Sequence, residues 1–328
     1  MGGDADGLTV KRGDAGQSQF DIASRHSLAI AGRVFSGLLL TLSAAAVILS
    51  RWLAGHFLTL KPDRRRPLLE RPEDFGLAYQ DVQVKTADGL TLRGWYLPGQ
   101  NGATIMVQHG SPGGRQDSLY EAAFLNKRGY NVLLGSFRAH DDCDGVDLSF
   151  GYHEMKDVAA WHGFLLNRPE VDPARIGIFG ESMGGALGIR YAAQNQRIAA
   201  VAVASAPAFM AEVAKFMISA AGLAPRWSVP VLARLFIFWA ERKAGCTAAD
   251  VDVLPHVSRI SPRPLLSIHG GAENQVPPKH GRLLYEAAGQ PKEFWFVPEA
   301  GHVNFEFFQP EEYQRRVLAF FDRYLQEE

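Results

Sequence analysis

From residue 77 onward the chain alternates short apolar runs with longer stretches of helical periodicity, and this alternation constrains the fold most. The runs fall at 103–108, 131–135, 176–179, 199–204, 264–268 and 293–297. Gly, Pro and Asp punctuate them, and several carry apolar side chains at consecutive positions, as a strand covered on both faces does. Between them, residues 118–128, 154–166, 184–194, 279–288 and 311–325 place apolar side chains at helical spacing. Strands alternating with helices predict an α/β fold, with a mostly parallel central sheet and helices on both faces. Ahead of the series, 82–84 and 90–95 alternate around Asp88-Gly89, which reads as a β-hairpin.

One interval breaks the rhythm. Residues 207–258 separate two of the runs, far more than an ordinary connection needs. They carry Phe209, Phe216, Trp227, Phe236, Phe238 and Trp239 and read as a helical cap insertion over a site; extra core packing is the plainer alternative.

The N-terminal part obeys different rules. Residues 1–28 open with a Gly- and Asp-rich stretch that lacks an apolar period and read as a mobile tail. Residues 34–50 are uncharged, between Arg33 and Arg51, and 29–31 extend the run if Arg33 snorkels. A helix of that length nearly spans a ~30 Å hydrocarbon core. Trp52, His56 and Phe57 follow, where interfacial residues belong. Residues 29–57 are therefore expected to form one transmembrane helix. A buried helix and a signal peptide cleaved near Ala44-Ala45-Ala46 are its rivals. Residues 58–80 then read as a basic linker, in which Lys61, Arg64, Arg65 and Arg66 suit an anionic lipid surface equally well. By the positive-inside rule this richer flank, and with it the domain at 81–328, is expected in the cytoplasm.

Composition removes several classes. A net charge of -1 gives no global basic surface for nucleic acid. Cys143 and Cys246 form no CxxC or Cys/His cluster, so neither a disulfide scaffold nor a structural zinc site is expected.

The chemistry concentrates in one constellation. Gly180-Glu-Ser182-Met-Gly184 is a G-x-S-x-G motif between an apolar run and a helical stretch. In that setting a tight strand–turn–helix corner exposes a serine nucleophile. His302 follows the last run and is the preferred base; His140, in another loop, is a weaker candidate. Glu273 is the only carboxylate in the loop after 265–268 and would orient His302. The oxyanion donors expected are the N–H groups of Met183 and of Ser111, since the following Pro112 has none.

On Ser182, Glu273 and His302 in that order, with Gln108-His-Gly-Ser, Asp172-Pro-Ala-Arg-Ile-Gly and Ala300-Gly-His-Val-Asn304, the chain resembles the α/β-hydrolase superfamily over roughly residues 80–326. Within it, the sequence is similar to membrane-anchored Bem46-type hydrolases and to serine aminopeptidase or prolyl-oligopeptidase-like domains. The resemblance implies an α/β-hydrolase fold and serine acyl transfer. Two departures stand out. Glu273 replaces the family's usual Asp, and residues 136–145 depart from its Asp-x-Arg-Gly-His-Gly-x-Ser loop. Asp141, Asp142 and Asp144 in that loop read as a solvated acidic segment rather than a metal site.

These readings converge on a membrane-anchored serine hydrolase acting on a small-molecule or lipid-like ester or thioester, with no metal or organic cofactor. An aminopeptidase or amidase of the same fold is the enzymatic alternative, and an anchored binding or scaffold protein is the non-catalytic one.

Overall fold

The computed structural model describes residues 14–222 and 225–326. Backbone contacts divide the chain into two compact units, Met1–Ser50 and Arg51–Glu328.

Helix α1 (Asp14–Phe57) contains the apolar segment, and over Ile30–Phe57 it is long and apolar enough to cross a membrane. Helical backbone thus begins inside the segment expected to be a tail, with residues 1–13 outside the described ones. Extending an existing helix costs far less than nucleating one, so the apolar run carries helix into its weaker flank.

In the second unit the strands are β1 (Gln80–Lys85), β2 (Thr91–Leu97), β3 (Thr104–Gln108), β4 (Asn131–Gly135), β5 (Ile176–Glu181), β6 (Ile198–Ala204), β7 (Leu265–Gly270) and β8 (Lys292–Val297). They form an eight-stranded sheet in the order β1-β2-β4-β3-β5-β6-β7-β8. The β1–β2 and β2–β4 pairs are antiparallel, and every later pair is parallel. All six apolar runs are strands, and the hairpin forms as its turn signal predicts.

The connections are helical: α2 (Leu119–Lys127), α3 (Met155–Leu166), α4 (Met183–Gln194), α5 (Met210–Ala220), α6 (Val229–Ala244), α7 (Ala248–Val251), α8 (Leu254–Val257), α9 (Lys279–Ala287), α10 (Phe305–Phe308) and α11 (Pro310–Leu325). The two-residue period sends Ile105, Val107 and Phe179 to one face, with Phe124, Phe320 and Phe321 of α2 and α11. Met106, Ile176 and Ile178 go to the other, with Trp161, Leu187 and Leu284 of α3, α4 and α9. Each such large side chain contributes about 1.5–3 kcal/mol on full burial, which favours a sheet covered on both faces. This is the α/β-hydrolase fold, with α5–α8 as the helical insertion at 207–258; residues 223–224 of that insertion lie outside the described ones.

Residues 58–80, expected as a basic linker, pack on the domain instead. Leu58 and Leu60 are buried with Ala139 and Leu148, and Leu77 joins the main core. The arginines are engaged locally. Arg64 donates to the carbonyls of His56 and Thr59, both at 2.9 Å, and so caps the end of α1. Arg65 donates to the carbonyls of Asp141 and Cys143 at 3.2 and 2.7 Å. Arg66 pairs with Asp117 at 2.8 Å. Carbonyl groups left over at a helix end and in an irregular loop need donors, and a guanidinium offers five in one group.

Candidate active site

Parallel strands deliver their carboxyl ends, and the loops that follow, to one edge of the sheet. β3, β5, β6, β7 and β8 bring residues 109–111, 182, 205, 273 and 302 there.

Ser182 sits between β5 and α4 with φ 49° and ψ -114°, a strained conformation for a residue with a side chain. Such a position costs of order 1–3 kcal/mol and needs tight surroundings to hold it. Its N–H donates to the Ala204 carbonyl at 2.9 Å. Gly180 and Gly184 make the corner buildable. A Cβ on Gly180 would strike the Gly184 backbone, and one on Gly184 would strike the carbonyls of Gln108 and His109. Gly184→Ala is therefore expected to cost about 1–3 kcal/mol and most of the activity together, measured by thermal melting beside a rate assay. Unchanged melting would mean that the corner is looser than its contacts indicate.

His302 and Glu273 are brought together directly. His302 Nδ1 lies 2.8 Å from Glu273 Oε1 and 3.1 Å from Oε2. A carboxylate only accepts, so Nδ1 carries a proton, and in the neutral ring Nε2 then keeps its lone pair. The Glu273 side chain is fully buried, that of His302 9% exposed. Burial pushes the Glu273 carboxyl up, but the His302 hydrogen bond and charge outweigh it and hold the group below the usual range. The N–H groups of Gln275 and Val276 also donate to Oε2, both at 3.3 Å. Ser182 Oγ and His302 share no hydrogen bond in this arrangement. Unliganded sites often hold this contact long, and it tightens in the Michaelis complex.

The loop after β3 closes over the serine. A Cβ on Gly110 would lie 3.3 Å from the Ser182 Cβ, so this backbone touches the elbow. Met183 opens α4, and its N–H is one of the first-turn donors with no acceptor inside the helix. Ser111 is the next residue in the loop, and its hydroxyl donates to His140 Nε2 at 3.0 Å. His140 Nδ1 donates to the Arg138 carbonyl at 2.9 Å. His140 is thus buried with both nitrogens engaged, its pKa pushed down to about 3 by burial. It buttresses the loop and is not positioned as a base. His109 does likewise, donating to the Gly110 carbonyl at 2.7 Å and accepting the Phe137 N–H at 3.2 Å.

The acidic loop is exposed at Asp142 and Asp144, as expected, but not at Asp141. Asp141 is buried and accepts the Arg115 N–H at 3.0 Å. Asp142 pairs with Arg115 at 2.8 Å, and Asp144 accepts the Thr91 N–H at 2.8 Å. Asp141 and Asp142 thus share Arg115, while Asp144 turns to the backbone of β2.

Two features escaped the sequence reading. Ser205, at φ 52°, receives the Val303 N–H on its hydroxyl at 3.4 Å and sends its own N–H to Ile268. It thereby links β6, β7 and the His302 loop, and its hydroxyl also favours ionised Glu273. A lone serine after an apolar run carries no signal of this. The second is a buried acid cluster behind Ser182. Glu181 is buried, accepts the Ser118 hydroxyl at 2.9 Å, and is pushed well above the usual range by burial and by Glu121. Glu121 is raised to about 7 by burial, against a hydrogen bond from Tyr313 at 2.8 Å. A charged residue inside an otherwise apolar elbow motif was the available clue.

This cluster sets a pH dependence of stability. A carboxyl whose folded pKa is raised contributes fully below its unfolded value of 4.5, and the contribution is lost as pH rises through about 7. Glu121→Gln is expected to melt a few degrees above the wild type at pH 8 and level with it at pH 4.5. Equal melting at both values would remove the cluster as a source of pH sensitivity.

Two open depressions, of about 690 and 600 Å³, lie elsewhere on the domain, and neither is lined by a candidate site residue.

Comparison with known proteins bears on this arrangement. The sequence model of the prolyl oligopeptidase family matches residues 117–328. An uncharacterised protein of Mycobacterium tuberculosis is 32% identical over 230 residues, covering 69% of this chain and 73% of its own. A polyketide transferase of Stachybotrys chlorohalonatus is 26% identical over 296 residues, covering 74% of this chain and 98% of its own. Among solved structures, an esterase of Pyrococcus furiosus superposes with a TM-score of 0.69 at 27% identity, covering 82% of this chain and 98% of that one.

Proposed function

Because the chain belongs to the prolyl oligopeptidase family and is a serine hydrolase of the α/β-hydrolase fold, we propose that Ser182, His302 and Glu273 form its catalytic triad. The observation that carries this reading is the 2.8 Å bond between His302 and a buried, ionised Glu273, on the same strand-end edge as a strained serine.

Ser182 attacks the substrate carbonyl while His302 Nε2 takes its proton. Glu273 fixes the tautomer and stabilises the imidazolium. The N–H groups of Met183 and Ser111 hold the tetrahedral oxyanion, and losing one such donor typically costs about 10²–10³ in rate. His302 returns the proton to the leaving group, and water then releases the acyl group from Ser182. An imidazole base works only when neutral, so the rate falls toward acid pH.

The helix over Ile30–Phe57 supports a membrane anchor. With an aromatic insertion beside the site, it favours an ester or thioester with a hydrophobic acyl group. The richer cationic flank at 51–71 favours a cytoplasmic domain. The family name equally admits an amide, so the deciding experiment pairs a fluorophosphonate probe with a panel of acyl esters, thioesters and aminoacyl amides. Labelling of Ser182 with ester turnover supports the proposal. Amide turnover alone would replace the substrate class, and absence of labelling in the folded protein would overturn the triad.

A further inference from the structure

The insertion carries an exposed apolar face that the chemistry does not use. Trp227, Val231 and Phe238 are 82, 57 and 42% exposed. The exposed cations of the same insertion are Lys215, Arg226, Arg234, Arg242 and Lys243, and the Arg242 guanidinium lies 4.2 Å from the Phe238 ring centre. Between residues 210 and 244 the sequence has only two acids, Glu212 and Glu241. Both are engaged within the protein, Glu212 with Lys279 at 2.6 Å and Glu241 with the Ala248 N–H at 2.8 Å. At 16 residues, and interrupted by Arg234, α6 is too short to cross a bilayer. Aromatic side chains mixed with cations are the composition of a helix lying in the interface plane.

Chain continuity selects the occupant. The apolar span runs without a break into Arg51–Phe57, and those residues together with 58–60 hold α6. The Phe57 and Phe236 rings are 6.1 Å apart, and the Arg51 guanidinium lies 5.2 Å from the Trp239 ring centre. Ala240 and Ala244 pack against the cluster that contains Leu58 and Leu60. Lys243 pairs at 2.7 Å with Asp147, which Thr59 also contacts. The last turn of a membrane span is thus bound to the helix that exposes this face. α5, which packs on α6, starts at Met210, a short way along the chain from Ser205 at the end of β6.

We propose that the face of α6 bearing Val231 and Phe238, together with Trp227 in the turn just before it, docks into the headgroup region of an anionic bilayer, so that the site receives its acyl substrate from the lipid phase. This rests on the anchored-hydrolase reading above and specifies where its substrate enters.

The test uses the full chain in phosphatidylcholine vesicles, with and without phosphatidylglycerol. An environment-sensitive fluorophore is placed on Trp227→Cys, Val231→Cys or, as control, Glu286→Cys near the far end of α9, all in a Cys246→Ser background. Cys143 is buried and its thiol is pushed up to about 12, so it stays unlabelled. Doxyl-labelled lipid is expected to quench positions 227 and 231 and spare 286, more strongly with anionic lipid. Trp227→Glu with Val231→Glu is expected to lower hydrolysis of a long-chain ester in the vesicle about tenfold, with a soluble short-chain ester cleaved as before. No quenching in a chain that resists alkaline extraction and cleaves the soluble ester overturns docking alone. Shielding that grows with protein concentration without lipid quenching assigns the face to a second copy and also overturns it. A chain washed off by alkali, or found cleaved after the span, removes the anchor and the docking together.

Discussion

Ser182→Ala is expected to abolish fluorophosphonate labelling and to lower kcat by roughly a millionfold, the scale on which removing a triad serine acts elsewhere. Residual turnover would come from the oxyanion donors and from binding, worth about 10³–10⁴ over water. The loss must be chemical rather than structural, and the elbow supplies the control. Alanine at φ 49° and ψ -114° meets the same backbone strain as serine, and the Ser182 side chain makes no cap hydrogen bond to the helix. The alanine variant is therefore expected to melt with the wild type. Ser182→Gly, free of the Cβ that makes this conformation costly, is expected to be equally inactive but more stable, by up to about 1–3 kcal/mol. An alanine variant that keeps labelling would remove Ser182 from the mechanism.

The second large effect concerns the acid. Glu273→Gln is expected to lower kcat by about 10⁴ with little change in KM, because the amide can present its NH₂ to Nδ1 and move the imidazole proton to Nε2. A protonated Nε2 cannot accept from Ser182. Glu273→Asp tests the unusual residue itself. The carboxylate would retreat by about 1.5 Å, stretching a contact now at 2.8 Å beyond hydrogen-bond range unless the loop follows. The Asp variant is expected between wild type and Gln, with melting and circular dichroism to check that all three fold alike. A Gln variant within tenfold of wild type would show that Glu273 is not the orienting acid.

The central sheet was legible because its strands are buried on both faces. Ile176, Ile178 and Phe179 announce a buried strand by composition alone, and Gly180 and Gly184 mark the corner after it. His302 and Glu273 were reachable because an elbow serine requires a base and an acid, and strand ends limit where these can stand. Sequence was blind to what depends on neighbours distant in the chain. Asp141 looks solvated until Arg115 folds onto it. His140 looks like a spare base until Ser111 and Arg138 occupy both of its nitrogens. Ser205 acquires its place only from a backbone angle that no composition encodes. The cationic stretch at 61–66 reads as solvent- or lipid-facing because Arg64 and Arg65 donate to backbone carbonyls, which carry no sequence signature, and the Asp117 partner of Arg66 is distant in the chain.

That same stretch fixes where a water-soluble fragment of this enzyme can begin. Trimming to residue 81, where the sheet starts, would strip Leu58 and Leu60 from their pocket and leave the carbonyls clasped by Arg65 without a donor. Trimming to Arg51 keeps all of these contacts and coincides with the edge of the compact unit. The second compact unit of this protein therefore starts within α1, and the short terminal stub of that helix is structurally part of the hydrolase body.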